Sequence, residues 1–309
     1  MKQIPDELKA DLPQSKWGKI LGATPVVLAV VSTLLAGLAS SEMTKAQYDR
    51  SLAAQLQSKA GDQWSFFQAK RLRGALQHNT LDVILSSAGR RAIERGALLA
   101  ALTGTPAEAA LKGSGSDAIF AALRDGSLPK PGARPDQDPN VHAALAALEA
   151  GKSDAELAVL LGKVDDKTLE DAARAARDYV AALDAATEPV GNAIEEIEEQ
   201  MARASTDAAL RRDFVAARLG YNARRYDAEA RLNQSVASLY ELQVRKANIS
   251  AARHHRRSQR FFYGMLAAQT GVIISTLAIA ARQRNLLWTI AAIAGFTAVA
   301  FAVYVYVFV

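Results

Sequence analysis

The chain has 309 residues, of which 50% are hydrophobic and 22% charged, with 37 Lys and Arg residues against 32 Asp and Glu residues. The net charge of +5 is a small excess spread among acidic residues, so it gives no support to nucleic-acid binding. The sequence contains no cysteine, which excludes disulfides, thiolate nucleophiles, iron–sulfur clusters and cysteine-ligated zinc.

A polar tail, residues 1–19, precedes the first of three charge-free stretches, which are residues 20–41, 261–281 and 285–309. At about 1.5 Å per residue, helices of these lengths exceed the bilayer hydrocarbon core of about 30 Å. We therefore predict three transmembrane helices. A cleaved secretory signal is the alternative for the first stretch, but its 22 residues exceed a signal core of about 7 to 15 residues.

Residues 42–104 are predicted to form the first helical region of a stalk. Up to residue 104 no proline interrupts them, and good helix formers predominate. An apolar stripe recurs along this region at spacings of four, four, four and three, and it consists of Leu52, Leu56, Ala60, Trp64 and Phe67. Residues 191–260 also lack proline and return the chain to the membrane, so we expect a second stalk helix antiparallel to the first.

Residues 105–190 are predicted to form a small helical insert between the two stalk segments. Thr105–Glu108 and Ser153–Glu156 have the spacing of a capping box, which marks the start of a helix. Residues 126–140 hold four prolines and are expected to be a linker. The whole pattern predicts an all-α membrane protein with three transmembrane helices, a long antiparallel helical stalk and a small helical cluster inserted between its arms.

No pattern in the sequence supports catalysis or metal binding. The four histidines lack partners at the spacing of helical metal ligands, and the glycine-rich residues 113–117 lack the Gly-Lys-Ser/Thr of a phosphate-binding loop. The charge-free stretches also contain no histidine, which argues against a proton-coupled transporter. We therefore predict no enzymatic activity, no cofactor and no metal.

A basic segment directly precedes the second charge-free stretch and contains Arg253, Arg256, Arg257 and Arg260. Arginines at this position bind anionic lipid head groups, each contributing about 1 kcal/mol, or they only set the membrane topology. Near the charge-free stretches, nine basic residues lie on the side of the large polar region and six on the other side. This difference favours a cytoplasmic polar region, whereas a positive leader before a first span favours the reverse.

Residues 62–70, Asp-Gln-Trp-Ser-Phe-Phe-Gln-Ala-Lys, resemble the hallmark of bacterial membrane proteins grouped as domain-of-unknown-function family 4337. The layout around Arg225–Glu229 and Arg282–Arg284 is similar to that family too, so the resemblance covers residues 15–85 and 215–309. It implies a multi-pass protein of the bacterial inner (cytoplasmic) membrane. The family has no established activity, so the resemblance lends no catalytic residues.

The side chains of the 62–70 motif are candidates for helix packing or partner binding. Phe66 and Phe67 lie about 100° apart around a helix, so the two rings cannot fill one groove equally. We expect Trp64 and Phe67 to pack within the stalk. The candidate residues of the motif are Asp62, Trp64, Phe66, Phe67, Gln68 and Lys70.

These observations favour a membrane-anchored helical scaffold that forms homo-oligomers and displays residues 105–186 to a protein partner. Residues 90–200 have no counterpart in the family resemblance, and we expect them to be an insertion. Small residues at four-residue spacing in the charge-free stretches support close helix contacts within or between monomers. The alternative function is a pore-forming subunit or an accessory subunit of a transporter.

Overall fold

The computed structural model describes residues 16–87, 89, 91–204, 207–280 and 284–308. The described residues are 88% helix and contain no strand, so the predicted all-α class is confirmed. The described helices are α1 (Lys16–Ser87), α2 (Arg95–Ala101), α3 (Pro106–Lys112), α4 (Ser116–Asp125), α5 (Pro139–Glu149), α6 (Asp154–Leu161), α7 (Asp166–Ala204), α8 (Ala208–Ala280) and α9 (Arg284–Phe308). Three of them, α1, α8 and α9, are long and apolar enough to cross a membrane.

The helix bounds differ from the sequence prediction at two places. The first stalk helix ends at Ser87, and within the rest of the predicted 42–104 region a short separate helix, α2, covers Arg95–Ala101. The predicted second stalk helix, 191–260, is divided between α7 and α8. The division has a local cause, because the Asp207 carboxylate accepts hydrogen bonds from the backbone N–H groups of Ala209 (2.8 Å) and Leu210 (3.0 Å) and thereby caps the start of α8. Residues 1–15 of the predicted tail and Arg282 lie outside the described residues.

The two predicted capping boxes have different outcomes. At the start of α6, the Ser153 hydroxyl accepts from the Glu156 backbone N–H and the Glu156 carboxylate accepts from the Ser153 N–H, as predicted. At the start of α3, the Thr105 hydroxyl instead donates to the Leu102 carbonyl, and Glu108 accepts from the Gly104 N–H at 2.7 Å. Thr105 therefore does not cap its helix. Residues 126–138, most of the proline-rich linker, contain no helix.

The chain divides into two compact units. Unit 1 comprises residues 1–53 and 247–309, and its described part is a bundle of segments from α1, α8 and α9. The α1 and α8 segments run antiparallel, since Ser258 donates to the Ala39 carbonyl at 2.7 Å and His254 lies 2.6 Å from Glu42. The core of this bundle consists of Leu35, Ala39, Phe261, Ala268, Ala298 and Val305.

Unit 2, residues 54–246, contains the remaining parts of α1 and α8, again as an antiparallel pair. Apart from Trp64, which is half-buried next to Gln63, the covered positions of α1 in unit 2 alternate at spacings of four and three, as in a heptad repeat, and they are Leu56, Ala60, Gln63, Phe67, Lys70, Gly74, Gln77, Leu81 and Ile84. On α8, Ala223, Ala230 and Ala237 are buried at seven-residue intervals. Small residues at such positions let the two helix axes come closer than larger side chains do.

A second core in unit 2 lies among the short helices. It joins α2, α3 and α4 to the end of α7 and the start of α8 through buried side chains that include Leu98, Leu111, Leu123, Ile197 and Phe214. Further along, α6 and the start of α7 contact α8, because Arg245 of α8 pairs with Asp154 of α6 and Gln243 donates to the Leu169 carbonyl of α7 at 3.0 Å. The short helices thus pack on the long ones and do not form a separate domain.

Candidate functional site

The 62–70 motif lies on α1 within unit 2, and its aromatic side chains have different environments. The Trp64 indole N–H donates to the Glu241 carboxylate of α8 at 2.9 Å. Trp64 also packs edge-to-face on Phe67, with ring centroids 5.4 Å apart. Phe66 is 54% exposed, and Asp62 and Gln68 are exposed as well. The motif therefore presents one face to α8 and the opposite face to the surroundings of unit 2.

The last motif residue, Lys70, is part of a buried charge cluster. Its ammonium group pairs with Glu229, whose side chain is 5% exposed, and Arg225 Nε lies 3.4 Å from the other carboxylate oxygen of Glu229. The Tyr226 ring lies beside both cations, 5.6 Å from Lys70 Nζ and 5.1 Å from the Arg225 guanidinium. One buried carboxylate is thus held between two positive side chains from different helices, α1 and α8. We call Lys70, Arg225 and Glu229 the ion cluster.

Asp184 on α7 is influenced by the ion cluster. Asp184 is exposed, but desolvation by neighbouring atoms raises the pKa of its carboxyl and the negative charge of Glu229 raises it further, whereas the positive charges of Lys70 and Arg225 oppose this shift. Nearby, the hydroxyl of the buried Tyr221 lies 3.3 Å from the Thr187 carbonyl of α7. All three long helices of unit 2 therefore contribute polar groups to this region.

The arrangement of these groups is suited to holding helices together. Removing one partner of a buried ion pair leaves an uncompensated charge and is destabilising, so such a pair favours the helix register that keeps its partners together. A catalytic site requires a concave surface on which titratable groups converge toward a substrate. Across the described ranges, no group of three or more His, Asp or Glu side chains is placed to hold a metal ion.

Sequence reasoning missed the partners of the motif. Glu241, Glu229 and Asp227 lie on α8, 177, 159 and 149 positions from Trp64, Lys70 and His78, which they contact. The Arg225–Glu229 pair has the four-residue spacing of a helical ion pair and was the one local signal of the cluster. His254 likewise finds an acidic partner, Glu42, only through the fold.

The four predicted lipid-binding arginines lie on α8 in unit 1. Arg253 and Arg256 are exposed, and Arg257 is half-buried. The Arg260 guanidinium lies 4.6 Å from the centre of the Tyr304 ring of α9. Arg253, Arg256 and Arg257 thus lie at least partly on the surface of unit 1. Arg260 differs from them, because its contact with Tyr304 links α8 to α9.

A family model described as "Domain of unknown function (DUF4337)" matches residues 17–120. This match supports membership of the DUF4337 family over these residues. The match confirms the family resemblance of the 62–70 motif and extends into α4, so residues 90–120 are part of the DUF4337 segment and not of an insertion. The similarity of residues 215–309 to this family lies beyond the match and stays a prediction. No curated protein and no solved structure matches the chain.

The DUF4337 segment contains the α1 residues of the contacts between α1 and α8 but not their α8 partners. It provides Trp64 and Lys70 on α1, whereas their partners Glu241 and Glu229 lie on α8, beyond residue 120. The segment also includes the first apolar stretch, the short helices α2 and α3 and the start of α4, and these short helices pack on α7 and α8. The DUF4337 segment of this chain is therefore completed by helices outside it.

Proposed function

We propose that this protein is a membrane-anchored helical scaffold that forms homo-oligomers. The observation that carries the proposal is the contrast between the two faces of α1 in unit 2. The inner face uses its polar side chains to bind α8, whereas the outer face exposes large apolar side chains. Apolar residues at regular spacing on an exposed helix face are typical of a surface that binds another helix.

The exposed face has the spacing of a second heptad repeat. Ala69, Leu72, Leu76, Asn79 and Val83 follow one another at intervals of three, four, three and four, and we call them the outer seam. Leu72, Leu76 and Val83 are 63%, 55% and 68% exposed. A second copy of the chain supplies a matching seam, and two copies inserted in one bilayer share the same orientation. Their outer seams therefore run parallel, with equivalent residues facing each other.

Disulfide crosslinking tests this proposal, because the chain has no cysteine of its own. In membranes containing the full chain, Leu72→Cys and Leu76→Cys are expected to form disulfide-linked dimers under mild oxidation. Arg71→Cys is the matched control, since it is exposed on the same helix but lies about 140° from Leu76 and about 100° from Leu72 around the axis. Equal crosslinking at all three positions, or none at the two leucine positions, would contradict the outer seam as an interface.

The remaining parts of the molecule have supporting roles in this proposal. The three charge-free helices of unit 1 anchor the chain, and the arginines of α8 contact anionic head groups. The greater number of basic residues on the side of the polar region favours the cytoplasmic face of a bacterial inner membrane. Residues 105–186 offer a surface for a protein partner, and Val159 on α6, 66% exposed, is one apolar side chain there.

A further inference from the structure

A groove runs along the surface of unit 1 between α1 and α8. Its volume is about 530 Å³, within the range of about 300 to 1,000 Å³ that is typical of small-molecule sites. Residues from both helices line it, among them Ala36, Met43, His255, Gln259, Phe262 and Met265. The lining is mostly apolar, with polar side chains concentrated on α8 toward one end.

Along the groove, the lining changes from polar to apolar where the charged parts of α1 and α8 meet their charge-free stretches. Glu42 is the first charged residue after the charge-free stretch of α1, and Arg260 is the last one before that of α8. His255 and Gln259 lie on the charged side of this boundary, whereas Phe262 and Met265 lie on the charge-free side. If these stretches span a bilayer, the groove crosses the level where lipid head groups meet acyl chains.

Two polar side chains of α8, His255 and Gln259, line the polar end of the groove. The Nε2 atom of His255 lies 3.1 Å from the Gln259 amide, whereas its Nδ1 atom is covered by protein atoms. The imidazole ring and the amide are therefore the uncharged polar groups that line this end.

The charges around the polar end favour an anionic ligand. Arg256, which follows His255, is exposed, and Arg253 is exposed one turn earlier. The nearby acidic residue Glu42 is already paired with His254 at 2.6 Å and with Lys45 at 3.0 Å. The positive charge at this end is therefore not neutralised by Glu42.

We propose that this groove binds one anionic phospholipid. The head group lies at His255, Gln259 and Arg256, and one acyl chain follows Ala36, Phe262 and Met265. The proposal rests on the membrane-anchored function proposed above and adds a specific ligand to it. It also differs from a general attraction of the arginines to a charged membrane surface, because it requires the apolar half of the groove.

Native mass spectrometry of the full chain in non-ionic detergent tests the proposal. The probes are phosphatidylglycerol and phosphatidylcholine with identical acyl chains. We expect one phosphatidylglycerol to be retained per chain, with at least about tenfold preference over phosphatidylcholine. Ala36→Trp fills the apolar half of the groove and is expected to reduce retention at least about tenfold. Ala300→Trp, at an exposed position of α9, is the matched control and should retain the lipid.

Two results would overturn the lipid site. Unchanged retention of phosphatidylglycerol by Ala36→Trp would show that the lipid binds outside the groove. Equal retention of phosphatidylglycerol and phosphatidylcholine would show that the positive charge does not select the head group. If Ala36→Trp loses helicity by circular dichroism, Met265→Trp replaces it as the groove-filling variant. Resistance of the wild-type chain to carbonate extraction from membranes is measured separately. A chain that stays in the membrane but retains no lipid refutes this site alone, whereas a chain that is extracted refutes the membrane anchor.

Discussion

At the scale of single residues, the two faces of the 62–70 motif predict different effects of aromatic substitution. Phe67→Ala or Trp64→Ala should lower the free energy of unfolding by about 1 to 3 kcal/mol, since these side chains are partly buried and pack on each other. Phe66→Ala should change it by less than about 0.5 kcal/mol, because this ring is exposed. Thermal unfolding of detergent-solubilised variants by circular dichroism measures the difference. Equal effects for Phe66 and Phe67 would show that the motif packs on both faces.

The pKa of Asp184 predicts a pH-dependent contribution to stability. Since the pKa of this carboxyl is raised on folding, the folded state binds its proton more tightly than the unfolded state. The stabilising contribution is complete below the ordinary pKa of 3.8 and is lost as the pH rises through the folded pKa. Asp184→Asn should therefore raise the melting temperature at pH 7 and have no such effect near pH 3.

The control for this prediction is Asp178→Asn, which changes an exposed aspartate of the same helix. It removes the same charge without changing the position next to the ion cluster. A rise in melting temperature of the same size for both variants would indicate a general effect of net charge. A lower melting temperature of Asp184→Asn at pH 7 would show that the ionised carboxylate stabilises α7.

At the scale of the helices, Gly264 marks a close contact inside unit 1. A methyl group added there would lie 3.2 Å from Phe301 Cβ, 3.3 Å from the Ala298 carbonyl and 3.3 Å from Leu35. Gly264→Ala should therefore lower stability in detergent by about 1 to 3 kcal/mol through overpacking. A methyl group added at Gly37 would have no other atom within 4 Å. Because alanine has a higher helix propensity than glycine, Gly37→Ala should stabilise α1 by up to about 1 kcal/mol. Melting temperatures of the two variants that shift in the same direction would refute this packing.

The sequence predicted the type of each helix better than its contacts. The spacing of Leu52, Leu56 and Ala60 indicated a helix with an apolar face, but Leu52 is exposed and Ala53 is buried in its place. The reason is that the covered positions follow a period of 3.5 residues, whereas spacings of four drift away from that line. The Asp207 cap is local in sequence and was detectable. The pairing of Lys70 with Glu229 was not, because no local rule joins residues of two helices so far apart in the chain.

At the scale of the whole molecule, the odd number of candidate spans predicts a specific topology. The chain has no cysteine, so single cysteines at positions 3, 132 and 283 are labelled without background. A membrane-impermeant thiol reagent should label positions 3 and 283 from one side and position 132 from the other. The unmodified chain is the control and should remain unlabelled. Labelling of all three positions from the same side would refute three spans.

Four alanines of α1, Ala39, Ala46, Ala53 and Ala60, are buried at seven-residue intervals like those of α8, and this has a consequence for synthesis of the chain. Trp64 and its partner Glu241 are 177 residues apart. At roughly 5 to 20 residues per second, the ribosome needs on the order of 10 to 35 seconds to make the second helix after the first. During this interval the inner face of α1 has no α8 to cover it. Alanine exposes less apolar area than leucine. Ala39, Ala46, Ala53 and Ala60 therefore limit the apolar surface that α1 exposes to chaperones and to neighbouring nascent chains before α8 is made.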